Sequence, residues 1–273
     1  VAASELNLKP ATSVGNCRKW SVSDPVVMAR ESMRAPGTSF APIVYTGTKA
    51  SGWRELIRDY AAKIRDRVQL DETVKNTSAQ IVANAGSDEE KLRRLTRYVQ
   101  KNIKYQAIEF GTRGVIPNHA SKTLSDKFGD CKDQSVLLAQ LLKAQGFAAE
   151  LALVSTYASF VETIPSLDQF NHMIVYLPNY KGGTFFDPTQ KEFGLSALPP
   201  LYLEGQTAVL VKEDGHKILQ IKPPEKNLSK IIVDREVTLE GDKAVIREMI
   251  RWTDYHAAFV RGYFRRHSAR PLG

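Results

Sequence analysis

The chain has 273 residues, of which 42% are hydrophobic and 25% are charged, with a formal net charge of +8 at pH 7. This is enough apolar sequence to bury a sizeable core in one or two domains, and the composition is that of an ordinary globular protein. No apolar run approaches the roughly 20 residues of a membrane-spanning helix. The basic residues are scattered, without an interleaved aromatic groove or a nucleic-acid motif, so neither a membrane span nor nucleic-acid binding is predicted.

The first segment, residues 1–50, has the pattern of extended chain. It contains four prolines and short apolar pieces without a helical period: Pro10, Pro25, Pro36 and Pro42. We therefore expect strands and loops here, and interpret the segment as the tail of a preceding β-rich domain.

From residue 51 the apolar residues take a helical period. One stripe, from Trp53 to Val68, predicts a first helix, and a weaker one predicts a second helix over about 71–84. Ser87, followed three residues later by Glu90, predicts a capping box that begins a third helix, which ends near 104–105. We expect the apolar stripes to lie in the core.

Residues 106–127 contain Gly111, Gly114 and Pro117 and are predicted to form a loop that leads to the next helix. Loops before a nucleophile often line substrate sites. His119 lies here without a partner in the sequence, and we interpret it as a surface histidine.

A cysteine begins the next apolar run. Cys131 follows Gly129-Asp130, and the run that it begins has helical spacing and stops at Gly146. Cys131 is therefore predicted in the first turn of a helix, where free N–H groups and the positive end of the dipole stabilise an anion. A buried structural cysteine is the alternative.

The chain then changes to strand patterns. Residues 148–154 predict one strand, and the runs 172–177 and 184–189, joined by a glycine-containing turn, predict a hairpin. If that hairpin is symmetric about 179–180, His172 lies opposite Asp187 or its neighbour, close enough for a carboxylate to orient an imidazole. Cys131, His172 and Asp187 together then suggest a nucleophile, a base and a residue that orients the base.

Beyond residue 189, the sequence predicts two more hairpins and a short helix. The hairpins are expected around Asp214-Gly215 and around Glu240-Gly241-Asp242-Lys243, with a linker at Pro223-Pro224 between them. The helix is expected over about 254–266 with a basic face. The histidines in this region lack metal-ligand spacing and are interpreted as solvated or structural: His216, His256 and His267.

Three motifs carry a resemblance to a known family. Gly129-Asp130-Cys131-Lys132-Asp133, Asn171-His172 and Asp187-Pro188-Thr189 resemble, in this order, the core of the transglutaminase-like superfamily in its bacterial branch. The resemblance covers about residues 51–189. It implies an α+β, papain-like fold, in which a helical part carrying cysteine at a helix N-terminus packs on an antiparallel sheet that carries histidine and aspartate.

The resemblance also implies roles for the residues. Cys131 would be the nucleophile, His172 the general base and acid, and Asp187 the residue that holds the imidazole, in acyl transfer through a thioester. The backbone N–H of Cys131 and a donor from Gln106 or Tyr105 would bind the oxyanion. Residues 51–197 would be the catalytic core, between residues 1–50 and residues 198–273, the latter beginning a following β-rich domain.

The predicted function is thiol-dependent acyl transfer on peptide or amide bonds, either by a cysteine peptidase or amidase or by a transglutaminase. The alternative is a catalytically silent binding module for protein or cell-envelope partners. Cys131 and His172 alone are too few ligands for a metal site, and no calcium cluster or cofactor is expected. We expect a protein or peptide substrate and flanking domains of a longer chain. The two cysteines, Cys17 and Cys131, leave the compartment open, with a bacterial periplasmic or secreted location favoured.

Overall fold

The computed structural model describes residues 2–3, 8–15, 17–22, 44–45, 52–107, 110–193, 200–223 and 229–267. Six α-helices lie in these ranges: α1 (Trp53–Ile64), α2 (Glu72–Val82), α3 (Asp88–Asn102), α4 (Ala120–Asp126), α5 (Cys131–Lys143) and α6 (Asp254–His267). The strands of the same ranges are β1 (Ala2–Ala3), β2 (Leu8–Val14), β3 (Cys17–Val22), β4 (Val44–Tyr45), β5 (Lys104–Tyr105), β6 (Phe128–Gly129), β7 (Glu150–Val154), β8 (His172–Leu177), β9 (Thr184–Phe186), β10 (Thr207–Lys212), β11 (Gly215–Gln220), β12 (Ile231–Glu240) and β13 (Lys243–Trp252).

The three helices predicted after residue 51 are confirmed, and local side chains set where they begin. Asp71 caps α2, since its carboxylate accepts from two backbone N–H groups of the first turn. At α3, Ser87 Oγ accepts from Glu90 N at 3.2 Å, as a capping box requires. Glu90 Oε2 instead accepts from Gly86 N at 3.1 Å, one residue earlier than the motif predicts.

The prediction of a plain loop over 106–127 was wrong. The segment contains a 3₁₀ turn at Gly111–Gly114 and the helix α4, followed by β6, which pairs in parallel with β5. α4 is only seven residues long, too short for its apolar period to stand out. It forms because Thr123 and Leu124 are buried against neighbouring helices.

A five-stranded antiparallel sheet lies at the centre of the fold, in the order β11-β10-β7-β8-β9. Successive side chains of a strand point to opposite faces, so the sheet has two apolar faces. Leu151, Leu153 and Met173 face the helices in the main core, whereas Ala152 and Ile174 belong to a second, smaller core. β10 and β11 lie beyond residue 197, and they complete the sheet that carries the candidate site.

α5 is the central helix, because its residues 131–142 are all buried. Two of its buried polar side chains bond to main-chain oxygens of other elements: Gln140 Nε2 donates to Arg67 O at 2.8 Å, and Ser135 Oγ donates to Met173 O at 2.8 Å. The helix ends at Lys143, and Gly146 follows with a φ of 81°, a conformation that suits glycine. The predicted stop is therefore confirmed.

Both predicted C-terminal hairpins are confirmed, with β10 pairing β11 and β12 pairing β13 in antiparallel registers. The β12–β13 hairpin is exposed along nearly all its length. Two arginines hold α6 against the segment that follows β9. Arg261 Nε donates to Glu192 O, and Arg265 donates to Glu192 Oε1 and to Lys191 O. None of the described helices is both long and apolar enough to cross a membrane. Of the predicted linker at Pro223-Pro224, Pro224 lies outside the described residues.

At the N-terminus, the described parts of residues 1–50 are extended, as predicted. β2 and β3 form a hairpin, and β1 pairs with β4. Pro25, Pro36 and Pro42, on which the prediction also depended, lie outside the described residues.

Candidate active site

Cys131 is the first residue of α5, where the sequence placed it. Asp130 caps the helix: its Oδ1 accepts from Asp133 N at 3.2 Å, and Asp133 Oδ2 accepts from Asp130 N at 3.3 Å. At the first helical position, the Cys131 N–H has no carbonyl acceptor within the helix. Only 6% of Cys131 is exposed, and that part lines a cavity.

His172 begins β8, and its Nε2 lies 2.6 Å from Asp187 Oδ2. The same residue lines one cavity together with Cys131. Burial alone would lower the pKa of His172, but the hydrogen bonds and negative charges of Asp187 and Cys131 outweigh burial and raise the pKa of His172 to about 10. The imidazole is therefore held in its protonated form beside the thiol at neutral pH.

Asp187 directly follows β9 and is held by four donors. Its Oδ1 accepts from Thr189 N at 2.8 Å and from Thr189 Oγ1 at 2.7 Å, while Oδ2 binds His172 and the hydroxyl of Tyr202. Burial alone would raise the pKa of Asp187, but the hydrogen bond and charge of His172, helped by both hydroxyls, hold it below its usual value. The carboxylate thus stays ionised and fixed in direction.

The predicted cross-strand pairing of His172 with Asp187 needs a correction. The ladder pairs Val175 with Phe186 and Leu177 with Thr184, so the hairpin is shifted by two residues from the predicted register. Continued to its end, this register places His172 opposite Thr189, and Asp187 becomes a diagonal neighbour of His172. The shift by two keeps both side chains on one face of the sheet, so they still meet.

The residues before Cys131 show why this motif contains glycine. A Cβ on Gly129 would lie 2.7 Å from Asp133 Cβ, closer than carbon atoms can pack. Asp133 is 2% exposed and also accepts from Arg113 Nη2 at 2.7 Å and from Asn118 N at 2.7 Å. One carboxylate therefore joins the start of α5 to the loop at 113–118.

A cavity of about 300 Å³ lies over the thiol. Its walls are mostly apolar and come from four parts of the chain: Tyr60, Val115, Leu153, Leu167, Phe170 and Met173. Cys131 and His172 lie in this wall together with Asn171. The Asn171 amide binds Thr156 N and Thr156 Oγ1, so it fixes the loop before β8. The site can accept an apolar group next to a thiol and an imidazolium.

Tyr105 and Gln106 lie beside the motif but are not among the residues that line this cavity. β5 carries Tyr105 next to Gly129, and Gln106 N donates to Gly129 O at 3.1 Å. The backbone N–H of Gln106 is thus already bonded, whereas its side chain is exposed. An oxyanion role for either residue stays a prediction.

Three further residues at the site carry no signal in the sequence. Tyr202 lies in a short 3₁₀ turn, Leu201–Leu203, in a proline-rich stretch. Burial, followed by the charge of Asp187, raises the pKa of the Tyr202 hydroxyl, which keeps it a donor. Tyr60 was predicted only as core, yet it lines the cavity, and its OH donates to Val115 O at 3.0 Å. Arg113 was predicted only as part of a loop, yet it bonds Asp133 on α5 and donates from Nη1 to Ile116 O at 2.9 Å.

The remaining histidines are not among the residues that line the cavity. His119 is exposed, with Nε2 3.9 Å from Asp66 Oδ2, and His267 Nδ1 lies 2.7 Å from the Tyr263 carbonyl oxygen. In the described part of the chain, no three His, Cys, Asp or Glu side chains are grouped so as to hold a metal ion.

Comparison with known proteins gives the class to which this fold and site correspond. Residues 75–181 match the model of the transglutaminase-like superfamily, a span that includes Cys131 and His172 and ends before Asp187. Residues 75–181 are therefore similar to the family that the motifs predicted, and the fold is α+β and papain-like, as expected.

Two solved structures are similar to this chain. One is a "putative protease" from Parabacteroides distasonis, with 18% identity, a TM-score of 0.59, and coverage of 81% of this chain and 42% of that chain. The other is a "putative cysteine protease" from Cytophaga hutchinsonii, with 14% identity, a TM-score of 0.37, and coverage of 70% of this chain and 56% of that chain. The present chain thus spans less than half the length of the first structure. No curated protein matches it.

Proposed function

We propose that this protein is a cysteine hydrolase that cleaves peptide or amide bonds by acyl transfer to Cys131. The observation that carries the proposal is that His172 binds Asp187 at 2.6 Å and lines the same cavity as Cys131, the first residue of α5. A nucleophile, a base and a residue that orients the base, in mutual contact, are what acyl transfer requires. The name of the similar structure with a TM-score of 0.59, a "putative protease", supports the same class.

In the first half of the proposed reaction, the Cys131 thiolate attacks the carbonyl carbon of the substrate. The carbonyl oxygen becomes an oxyanion, which the Cys131 N–H would bind from the N-terminus of α5. The His172 imidazolium gives its proton to the departing amine, the C–N bond breaks, and a thioester remains. The pKa of about 10 for His172 supports this role, because the proton is present at neutral pH.

In the second half, water attacks the thioester. The imidazole that has lost its proton now takes one from the water, the C–S bond breaks, and the product acid leaves with the thiol restored. Asp187 keeps its contact with Nε2 throughout, which leaves Nδ1 directed at the sulfur. We favour water over a lysine amine as acceptor, because hydrolysis needs only that water reaches the thioester.

The domain division also stays a proposal. We propose that residues 51–197 contain the reacting groups and that the core continues through β11, because β10 pairs with β7 and Tyr202 binds Asp187. Flanking domains, a protein or peptide substrate, and an oxyanion contact from Tyr105 or Gln106 belong to the same proposal.

The test is alkylation by iodoacetamide, followed across pH by peptide mass spectrometry. Cys17 is an exposed free thiol in the same molecule and serves as the internal reference. We expect Cys131 to react at a lower pH than Cys17, and His172→Ala to remove this difference. His119→Ala is the matched control, since His119 is exposed and is not among the residues that line the cavity, and it should react as the wild type does.

The rival function, a catalytically silent binding module, predicts a different result. Cys131 would then label no more readily than Cys17 at any pH, and His172→Ala would change nothing. That outcome would refute the hydrolase proposal. If Cys131 instead reacts at a lower pH than Cys17, and His172→Ala removes this difference, a search for cleaved bonds with peptide libraries is justified, with Cys131→Ala as the inactive control.

A further inference from the structure

A second cavity, of about 600 Å³, lies between α3, α6 and the segment after Asp187, and the proposed reaction does not use it. Its wall contains six cationic side chains: Arg93, Arg97, Lys101, Lys191, Arg261 and Arg265. The wall also contains two carboxylates, those of Glu89 and Glu192. The wall thus has a strong excess of positive charge.

The cations form two stripes that face each other across the cavity. Arg93, Arg97 and Lys101 are spaced by four residues along α3, so they lie on one face of the helix about 6 Å apart. Arg261 and Arg265 have the same spacing on α6. Like charges at this spacing repel, so each stripe destabilises its own helix unless an anion lies between them.

Among the residues that the structure describes, two of the three cations in the α3 stripe are unpaired, whereas Arg93 Nη2 lies 3.5 Å from Glu90 Oε1. Arg97 and Lys101 form no ion pair or side-chain hydrogen bond with any residue in the described ranges. By contrast, Arg265 binds Glu192 Oε1 at 3.1 Å, and Arg261 Nε binds Glu192 O at 2.9 Å, so these two hold α6 in place. The α3 stripe thus has donors that the described fold leaves unused.

The wall between the stripes is fixed. Gln100 is 6% exposed, and its Nε2 donates to Gln190 O at 2.8 Å and to Phe193 O at 2.9 Å. These two hydrogen bonds hold the segment 190–193, which contains Lys191, against α3. The Phe193 ring adds an apolar surface and is held edge-on by Tyr255. The cavity is therefore bounded by three anchored elements, unlike a patch of mobile surface lysines.

We propose that this cavity binds a small anion with two or more linked phosphate groups. Guanidinium groups match phosphate oxygens with paired hydrogen bonds, and opposed stripes match an anion whose charges lie along a line. The volume falls within the range of about 300–1,000 Å³ that is usual for small-ligand sites, which favours a compact anion over a folded partner. The site shares no lining residue with the Cys131 cavity, although Lys191 in its wall lies four residues after Asp187.

Calorimetric titration with tripolyphosphate at physiological ionic strength tests the proposal. We expect saturable binding to one site, with orthophosphate, citrate and hexaglutamate binding at least tenfold more weakly. Arg97→Ala/Lys101→Ala should weaken tripolyphosphate binding on the order of tenfold or more, because it removes two charged donors. This variant breaks no hydrogen bond of the described fold, so it should keep the wild-type melting temperature.

The matched control is Arg58→Ala/Lys63→Ala, which removes the same charge from exposed positions on α1. It should bind tripolyphosphate as the wild type does, and so should Cys131→Ala, so the outcome does not depend on the proposed hydrolase. No binding by the wild type, or equal losses in both double variants, would overturn the site. Tighter binding of citrate or hexaglutamate would overturn its assignment to phosphate.

Discussion

Ser135 Oγ donates to the main-chain oxygen of Met173 at 2.8 Å, and both groups are buried. Ser135 lies one turn after Cys131 on α5, and Met173 directly follows His172 on β8. This bond therefore joins the helix that carries the thiol to the strand that carries the imidazole. It sets the distance between the two side chains more directly than the apolar packing around it.

We expect Ser135→Ala to lower the free energy of unfolding by about 1–3 kcal/mol, because it leaves a buried carbonyl without its donor. It should also reduce the dependence of Cys131 alkylation on His172. Urea unfolding and the labelling assay measure the two effects. The control is Ser125→Ala on the exposed face of α4, which should change stability by less than about 0.5 kcal/mol. Equal unfolding free energies and equal Cys131 labelling in the two variants would show that the Ser135–Met173 bond does not position the site.

Tyr202 binds Asp187 from beyond the predicted core, and Tyr202→Phe removes this hydroxyl alone. A hydrogen bond to a buried carboxylate contributes about 1.5–3 kcal/mol, so we expect a loss of stability in that range. Because Asp187 loses a donor, its pKa should also rise. Tyr263→Phe, at a half-exposed ring of α6, is the control and should leave the unfolding midpoint unchanged. An equal shift of the unfolding midpoint in Tyr202→Phe and Tyr263→Phe would contradict the hydrogen bond between Tyr202 and Asp187.

The contact between His172 and Asp187 predicts how stability depends on pH. The pKa of His172 is raised from 6.5 to about 10 in the folded state, so its contribution is complete below pH 6.5 and is lost as pH rises towards 10. The pKa of Asp187 is lowered from 3.8, so its contribution is present above that pH and is lost as pH falls. Stability should therefore be greatest between about pH 4 and 6.5.

His172→Gln should remove the alkaline part of this profile. We expect the wild type to lose more than about 1 kcal/mol of unfolding free energy between pH 6.5 and 10 relative to this variant. Chemical denaturation at fixed pH values measures the difference. Parallel profiles for the wild type and His172→Gln would show that the imidazole is not held in its protonated form.

Gly129 is tested by the smallest possible change. Gly129→Ala would place a Cβ 2.7 Å from Asp133 Cβ, which forces α5 or the preceding residue to move. We expect a destabilisation of about 1–3 kcal/mol from this overpacking, with slower alkylation of Cys131. Gly86→Ala is the matched control, because its nearest atom is Glu90 Oε2 at 3.9 Å. Similar stabilities for the two variants would refute the steric requirement.

Much of the candidate site could be predicted because its signals are local. Cys131 was placed at a helix start because the apolar period begins there and stops before Gly146, and the structure has the same boundaries. His172 and Asp187 were placed on neighbouring strands by the turn between them, with an error of two residues in the register. The error concerns the length of the turn between β8 and β9. The alternation of apolar and polar residues does not fix this length, because a shift of the register by two residues keeps every side chain on the same face of the sheet.

The sequence by itself determined the described helices other than α4, the two C-terminal hairpins and the residues that could serve as nucleophile and base, because short-range periodicity and turn chemistry suffice for these. Only the tertiary structure decided that Tyr202 holds Asp187, that Ser135 binds Met173, and that the basic residues of α3 and α6 share a cavity. These contacts join residues 15 to more than 150 positions apart. Which residues meet in these contacts depends on how α5 packs against β8 and how α6 packs near α3, and short-range sequence patterns carry no information about that packing.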